Sequence, residues 1–289
     1  MKRLLKPILA MAVLAATVAA FVYYVARHPE TLTKLKQLPP LTLAGLLLLN
    51  IVSFGCFVWV TRASLGLYGK KMGRQENLLF NAYSSLVNFF GPGQSGPVFR
   101  GAYLKRRLDL GVKQYIFGTL VYYGFFAVIS VLFMFAGARP WWQTGMLALA
   151  TGAASVAAIR WYKARAHIAG ARLDMRHIGW IGGATLLQLL AQVALYGLEL
   201  HATHAQASFG QVLSYTGVAN LAIFVALTPG AIGVREAFLL FSERLHHIGS
   251  ASIVAANVVD RGVYVVFLGL LFVLVLSLHA KKKLGVSGT

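Results

Sequence analysis

Two pairs of adjacent, oppositely charged residues lie within long apolar stretches of the chain. Arg235 precedes Glu236 in LTPGAIGVREAF, and Asp260 precedes Arg261 in VVDRGVYVV. Neighbouring side chains on a helix do not face each other, so we expect each charge to find its partner on another helix. The pattern predicts that Arg235 binds Asp260 and that Arg261 binds Glu236. Such pairs either hold broken helices together or form part of a site for an anion.

The elements that must position these charges are membrane-crossing helices. Of the 289 residues, 58% are hydrophobic and 12% are charged, whereas about 25% are charged in soluble domains. A run of about 20 mostly apolar residues can cross a bilayer as a helix. Such runs lie at 7–26, 41–61, 114–136, 145–159, 178–199, 209–228 and 252–279. No segment is long and polar enough for a soluble domain, so we predict one integral membrane domain over 1–289.

The basic residues predict how the chain is oriented. The formal net charge is +19, and Lys and Arg concentrate in short loops beside the apolar runs. This distribution is the positive-inside signal, and it favours anionic membrane lipids over nucleic acid as partners. The basic segments at 2–6, 62–74, 105–113, 160–176 and 281–283 should therefore be cytoplasmic, together with both termini.

A short motif rich in glycine and proline occurs twice, 137 residues apart. The segments FFGPGQSGPVFRGAY and ALTPGAIGVREAFLL align at this offset, which also carries the run at 41–61 onto the run at 178–199. The chain is therefore predicted to contain two repeats, 1–137 and 138–289. The aligned hairpin residues are Pro92, Gly93 and Gly96 in the first copy and Pro229, Gly230 and Gly233 in the second.

Each motif interrupts a stretch that we expect to form a re-entrant helical hairpin. In the first repeat each half has about 13 residues, or about 20 Å of helix, against about 30 Å of hydrocarbon. Hairpins are predicted at about 77–104 and 208–246, with three full crossings in each repeat. An odd number of crossings inverts the second repeat, as in many secondary transporters. The run at 209–228 is also long enough to cross outright, and the loops would then keep their sides.

The charges beside the motifs predict an anion site within the membrane. A helix that starts after a glycine-rich turn presents free backbone N–H groups, and the planar guanidinium group of arginine suits a phosphate. Gln188 and Gln192 share one helical face, where they either bond to neighbouring helices or line a polar path. The predicted substrate-binding residues are Arg100, Arg235, Glu236, Asp260 and Arg261, with Asn88 and Tyr123 along the polar path.

Several other polar residues are assigned no chemical role. Glu199 lies at the outer end of its apolar run, where we expect an interfacial position. Cys56 has no second cysteine to pair with and is interpreted as a small apolar residue. His201 and His204 do not form part of a metal-ligand set, so neither a metal nor a cofactor is predicted.

These motifs resemble those of a known family. TPGAIGVREAFLL, followed by VVDRGVYVVFLGLLF, and the earlier FFGPGQSGPVFRGAYLKRR are similar to the transmembrane region of lysylphosphatidylglycerol synthases and to their stand-alone relatives, the flippase-like domain (UPF0104) family. The resemblance implies a bacterial cytoplasmic (inner) membrane protein that moves a lipid, or a lipid-linked headgroup, between leaflets. It departs from the family at GTLVYYGFFAV, where Tyr122 and Tyr123 stand in place of a charged pair that the family often carries.

Three functions fit this sequence, and we favour the first. It is the flipping or export of an anionic phospholipid or lipid-linked headgroup, without enzymatic activity; the chain has no aminoacyl-transferase domain, so lysyl transfer is not expected. The second is an intramembrane enzyme acting on a lipid phosphate, with Glu236 or Asp260 as general base. The third is a non-catalytic partner in envelope or polysaccharide assembly, and a homo-oligomer is compatible with each of them.

Overall fold

Every regular element that the structure describes is an α-helix. A computed structural model describes residues 36–90, 95–138, 142–147, 174–225 and 234–283, together with Tyr23, Ala26 and Ala150. This confirms the prediction of an all-α protein. The helices are α1 Pro40–Gly66, α2 Arg74–Phe90, α3 Ser95–Leu108, α4 Val112–Ala138, α5 Met175–Ala202, α6 Phe209–Val225, α7 Val234–Phe241, α8 Glu243–His246 and α9 Ser250–Lys283.

Four of the described helices are long and apolar enough to cross a membrane. They are Pro40–Gly66, Val112–Gly137, Met175–Ala202 and Ser250–Leu278. Large apolar side chains point outward from them: Leu120 on α4 is 62% exposed and Val273 on α9 is 61% exposed. Such faces suit contact with lipid tails, and the prediction of a multi-pass membrane protein is confirmed. The predicted crossings at 7–26 and 145–159 lie mostly outside the described residues.

The described helices follow the 137-residue spacing of the two motifs. Helices α5, α6, α7 and α9 begin 135, 135, 139 and 138 residues after α1, α2, α3 and α4 respectively. α1 packs extensively against its counterpart α5. Gly45 on α1 lies beside Leu198 of α5, and Gly66 lies beside His177, so these two helices run antiparallel. An inverted repeat requires this arrangement, and the orientation of each repeat in the membrane stays a prediction.

Helices α2 and α3 lie antiparallel and are bonded at both ends. Beside the turn, the backbone amide of Gly96 donates to Asn88 Oδ1 at 3.3 Å. A Cβ atom on Gly96 would lie 2.7 Å from the Cβ atom of Asn88, so this close approach requires glycine. At the other end, Arg107 Nε donates to Glu76 Oε1 at 2.9 Å. The chain therefore returns along α3 in the direction from which α2 came.

The turns of the two predicted hairpins lie outside the described residues. Pro92 and Gly93 fall in the first of these gaps, and Pro229, Gly230 and Gly233 fall in the second. The helices that precede the gaps, α2 and α6, have 17 residues each. A helix of that length spans about 25 Å, less than the about 30 Å of a hydrocarbon core. Re-entry from one side of the membrane stays a prediction.

Helices α4 and α6 approach each other closely along glycine residues. A Cβ atom on Gly217 of α6 would lie 2.4 Å from both Met134 N and Ser130 O of α4. Small residues allow helix backbones to approach in this way within a membrane, where packing replaces the hydrophobic effect as the main attraction. Because the opposing atoms belong to the backbone, a larger side chain has no room to move aside.

Gly217→Ala is expected to lower the free energy of unfolding by about 1–3 kcal/mol, because the added methyl group forces the two helix backbones apart. Thermal unfolding of the purified protein in detergent measures this loss. Gly124→Ala on α4 is the matched control, since no atom lies within 4 Å of a Cβ atom there. Equal stability of the Gly217 variant and the control would contradict the close approach of α4 and α6.

Candidate functional site

Two ion pairs join α7 to α9. Arg235 Nη1 lies 2.5 Å from Asp260 Oδ2, and Arg261 Nη2 lies 3.2 Å from Glu236 Oε1. Each helix contributes two consecutive residues, so the two bridges lie side by side with opposite polarity. The pairing predicted from the sequence is confirmed. Neither helix could satisfy these charges alone, because adjacent side chains on a helix point in different directions.

The bridge between Arg235 and Asp260 is the more deeply buried of the two. Its side chains are 8% and 12% exposed, whereas those of Arg261 and Glu236 are 11% and 25% exposed. The Arg235 guanidinium carbon also lies 4.8 Å from the ring centre of Tyr196, within the range of a cation–π interaction. Arg235 Nε and Nη2 have no hydrogen-bond partner among the described residues. This arginine therefore keeps donor capacity beyond its ion pair.

A cavity of about 320 Å³ brings the predicted arginines together. It is lined by residues from both halves of the chain, since α2, α3 and α4 contribute to its wall as well as α5, α7 and α9. Glu236 is not among the residues that line the cavity, but it is bound to Arg261, which does line it. The predicted site residues in the wall are Arg100, Arg235, Asp260, Arg261, Asn88 and Tyr123.

Arg100 enters the cavity from the first hairpin. It lies one turn after Gly96 on α3, and the contact between Gly96 and Asn88 holds that end of α3 against α2. The Arg100 guanidinium carbon lies 4.7 Å from the ring centre of Phe57 on α1. Its Nε is buried without a hydrogen-bond partner in the described part of the chain, and no described acid forms an ion pair with it. Arg100 therefore adds a positive charge that the site does not neutralise.

Uncharged polar groups complete the wall of the cavity. Tyr122 OH donates to Gln188 Oε1 at 3.3 Å, and both side chains line the cavity with Gln192. The sequence left two roles open for Gln188, a hydrogen bond to a neighbouring helix and a place along a polar path. Gln188 has both roles. Ser84 and Ser85 of α2 also line the cavity. These groups can hydrogen-bond the parts of a ligand that carry no charge.

The sequence analysis did not predict that Glu199 is buried within the protein. Glu199 is 1% exposed, because α1 and α6 pack closely against the end of α5 that carries it. Its side chain interacts with those of Asp260 and Arg235 but does not line the cavity, so it lies behind the cavity wall. The interfacial depth expected from the sequence stays a prediction. The sequence did indicate that Glu199 lies on a polar face, because Gln188, Gln192 and Glu199 fall on one side of α5.

Comparison with known proteins places the chain in a family. The sequence pattern described as "Lysylphosphatidylglycerol synthase TM region" matches residues 8–271. The chain belongs to this family. The match covers all the helices described above except the C-terminal end of α9. It includes every residue that lines the cavity. The resemblance noted in the sequence is thereby confirmed. A comparison with curated proteins finds no match to the chain.

Proposed function

We propose that this protein translocates an anionic phospholipid, or a lipid-linked headgroup, across the cytoplasmic membrane. The observation that carries the proposal is the convergence of Arg100, Arg235 and Arg261 on one cavity within a bundle of membrane-spanning helices. Membership of a family whose name refers to a lipid synthase supports a role with membrane lipids. The headgroup would occupy the cavity while its chains remain in the bilayer.

The chemistry of the cavity suits a phosphate group. Guanidinium groups bind phosphate through paired N–H donors, and such bonds are stronger where water is scarce. Arg100 Nε and Arg235 Nε and Nη2 have no hydrogen-bond partner among the described residues, and buried donors of this kind are normally satisfied. The cavity volume of about 320 Å³ lies at the lower end of the about 300–1,000 Å³ range of small-molecule sites. It therefore suits a headgroup better than a whole lipid.

The test is leaflet exchange of labelled lipids in proteoliposomes. Fluorescent phosphatidylglycerol in the inner leaflet is expected to become accessible to an added quencher faster with the protein than without it. Fluorescent phosphatidylcholine, which carries no net charge, is the matched control and should exchange at the protein-free rate. The recovered lipid should be chemically unchanged, which distinguishes translocation from an enzymatic reaction. Equal rates with and without the protein would refute the proposal.

A further inference from the structure

Glu199 is a buried acid that the ion pairs of the cavity do not account for. Its side chain is enclosed, and neither carboxylate oxygen has a hydrogen-bond partner among the described residues. Burial of an ionised carboxylate without donors is far more costly than burial of the neutral acid, so such groups usually hold a proton. The described arrangement therefore needs either a counter-charge or a proton at this position.

The groups that face Glu199 come from four helices. Arg235 on α7 is already bound to Asp260 on α9, and Arg261 on α9 is bound to Glu236. Tyr196 of α5 and Tyr215 of α6 also interact electrostatically with Glu199. The stretch of α1 that lies opposite, at 40–50 around Gly45, has no ionisable side chain. Arg235 thus interacts with two acids, Asp260 and Glu199.

Glu199 lies one helical turn after Tyr196, whose ring contacts Arg235, and Arg235 is bound to Asp260. Both acids therefore lie around one arginine, and their side chains interact. Carboxylates that lie close together repel each other, and such pairs commonly hold one proton between them. We propose that Glu199 and Asp260 share one proton, and that uptake of this proton favours binding of an anionic headgroup in the cavity. The second part rests on the proposed function, whereas the first rests on the burial of Glu199 and on its position beside the bridge between Arg235 and Asp260.

A count of charges gives the reason for the coupling. The cavity and its ion pairs contain three arginines, Arg100, Arg235 and Arg261, against Glu236, Asp260 and Glu199. With the proton bound these six groups carry a net charge of +1, and without it their net charge is zero. The proton comes from water and returns to water, and only an O–H bond forms or breaks. The two binding events are linked: the bound proton raises the affinity for the anion, and the bound anion must raise the affinity for the proton by the same factor.

Infrared spectroscopy of the purified full chain tests the shared proton. Carboxyl groups in water are ionised at neutral pH, so a carbonyl stretching band of a protonated carboxyl group, shifted in D₂O, is expected only from this pair. The band should be lost in Glu199→Gln. The band should also be lost in Asp260→Asn, because Glu199 then becomes the ionised partner of Arg235. The control is Glu243→Gln, which changes an exposed acid and should retain the band. Absence of the band from the wild type, or its survival in Glu199→Gln, would overturn the proposal. The wild-type spectrum alone can overturn the proposal, even if a variant misfolds.

Calorimetric titration with dihexanoylphosphatidylglycerol tests the coupling. This lipid carries one phosphate charge that does not titrate near neutral pH, so any proton taken up from the buffer is bound by the protein. At the pH where half of the infrared band is lost, wild type should take up as much as about half a proton per lipid bound. Its affinity should fall by up to about tenfold for each further unit of pH. Glu199→Gln should take up none.

The two measurements separate the possible failures. Lipid binding without proton uptake would overturn the coupling while the band still establishes the shared proton. If the wild type binds no lipid at all, the headgroup-binding function and the coupling both fail, and the band alone decides whether Glu199 and Asp260 share a proton.

Discussion

Arg235→Ala is expected to lower the free energy of unfolding by about 3–5 kcal/mol, the usual effect of removing one partner from a buried ion pair. Asp260 is 9% exposed, and it would be left beside Glu199 with no cation of its own. Arg261→Ala should cause a smaller loss, because its partner Glu236 is 25% exposed and can be hydrated. Thermal or denaturant unfolding of the purified proteins measures both changes.

The double variant Arg235→Met/Asp260→Leu is the control for this prediction. Replacing both members of a buried pair by apolar residues of similar size is often neutral or stabilising. We therefore expect the double variant to be more stable than Arg235→Ala, although it has lost two charges instead of one. If Arg235→Ala proved as stable as the wild type, the bridge would not contribute to stability as a buried ion pair.

Arg100→Gln is expected to weaken anion binding about 10- to 100-fold, which corresponds to the loss of hydrogen bonds worth about 1.5–3 kcal/mol to a charged group. The rate of leaflet exchange of phosphatidylglycerol should fall to a similar extent. The fold should be unaffected, because Arg100 forms no ion pair with any described acid. Arg100 therefore separates loss of function from loss of structure, which Arg235 cannot do.

Arg106→Gln is the matched control for the Arg100 variant. It removes the same charge from the same helix, α3, at an exposed position outside the cavity wall. Binding of dihexanoylphosphatidylglycerol and leaflet exchange, measured side by side, should change only in Arg100→Gln. An equal decrease in the two variants would mean that α3 acts through its overall positive charge and not through a headgroup contact.

The pairing of charges was predictable because few partners were available. Only 8 residues of the chain are acidic, and two of them stand next to an arginine within an apolar stretch. A helix cannot join neighbouring side chains, so each charge had to bond to the other segment. The repeated motif was visible for a similar reason, since two copies of a rare motif at one offset leave a single alignment; the inverted repeat that it indicates stays a prediction. Both inferences rest on local geometry.

The environment of Glu199 was not predictable in this way. Its position near the end of an apolar run indicates the membrane interface, and hydropathy carries no information about what packs around that end. Burial depends on the packing of α1, α6 and α9 against α5, and α1 and α9 are distant in sequence and come close only after folding. The polar stripe of Gln188, Gln192 and Glu199 marked a face of α5, but it did not reveal that an ion pair covers that face.

The sequence by itself determined the membrane class, four of the helices long and apolar enough to cross, the repeated motif and the partners of four charges. Hydropathy, periodicity and the directions of side chains on a helix are properties of short segments. The tertiary structure alone decided that Arg100 joins Arg235 and Arg261 in one cavity, and that Glu199 meets Asp260 behind it. Those contacts join helices far apart in the chain. Their distances follow from how the helices pack, which no local pattern specifies.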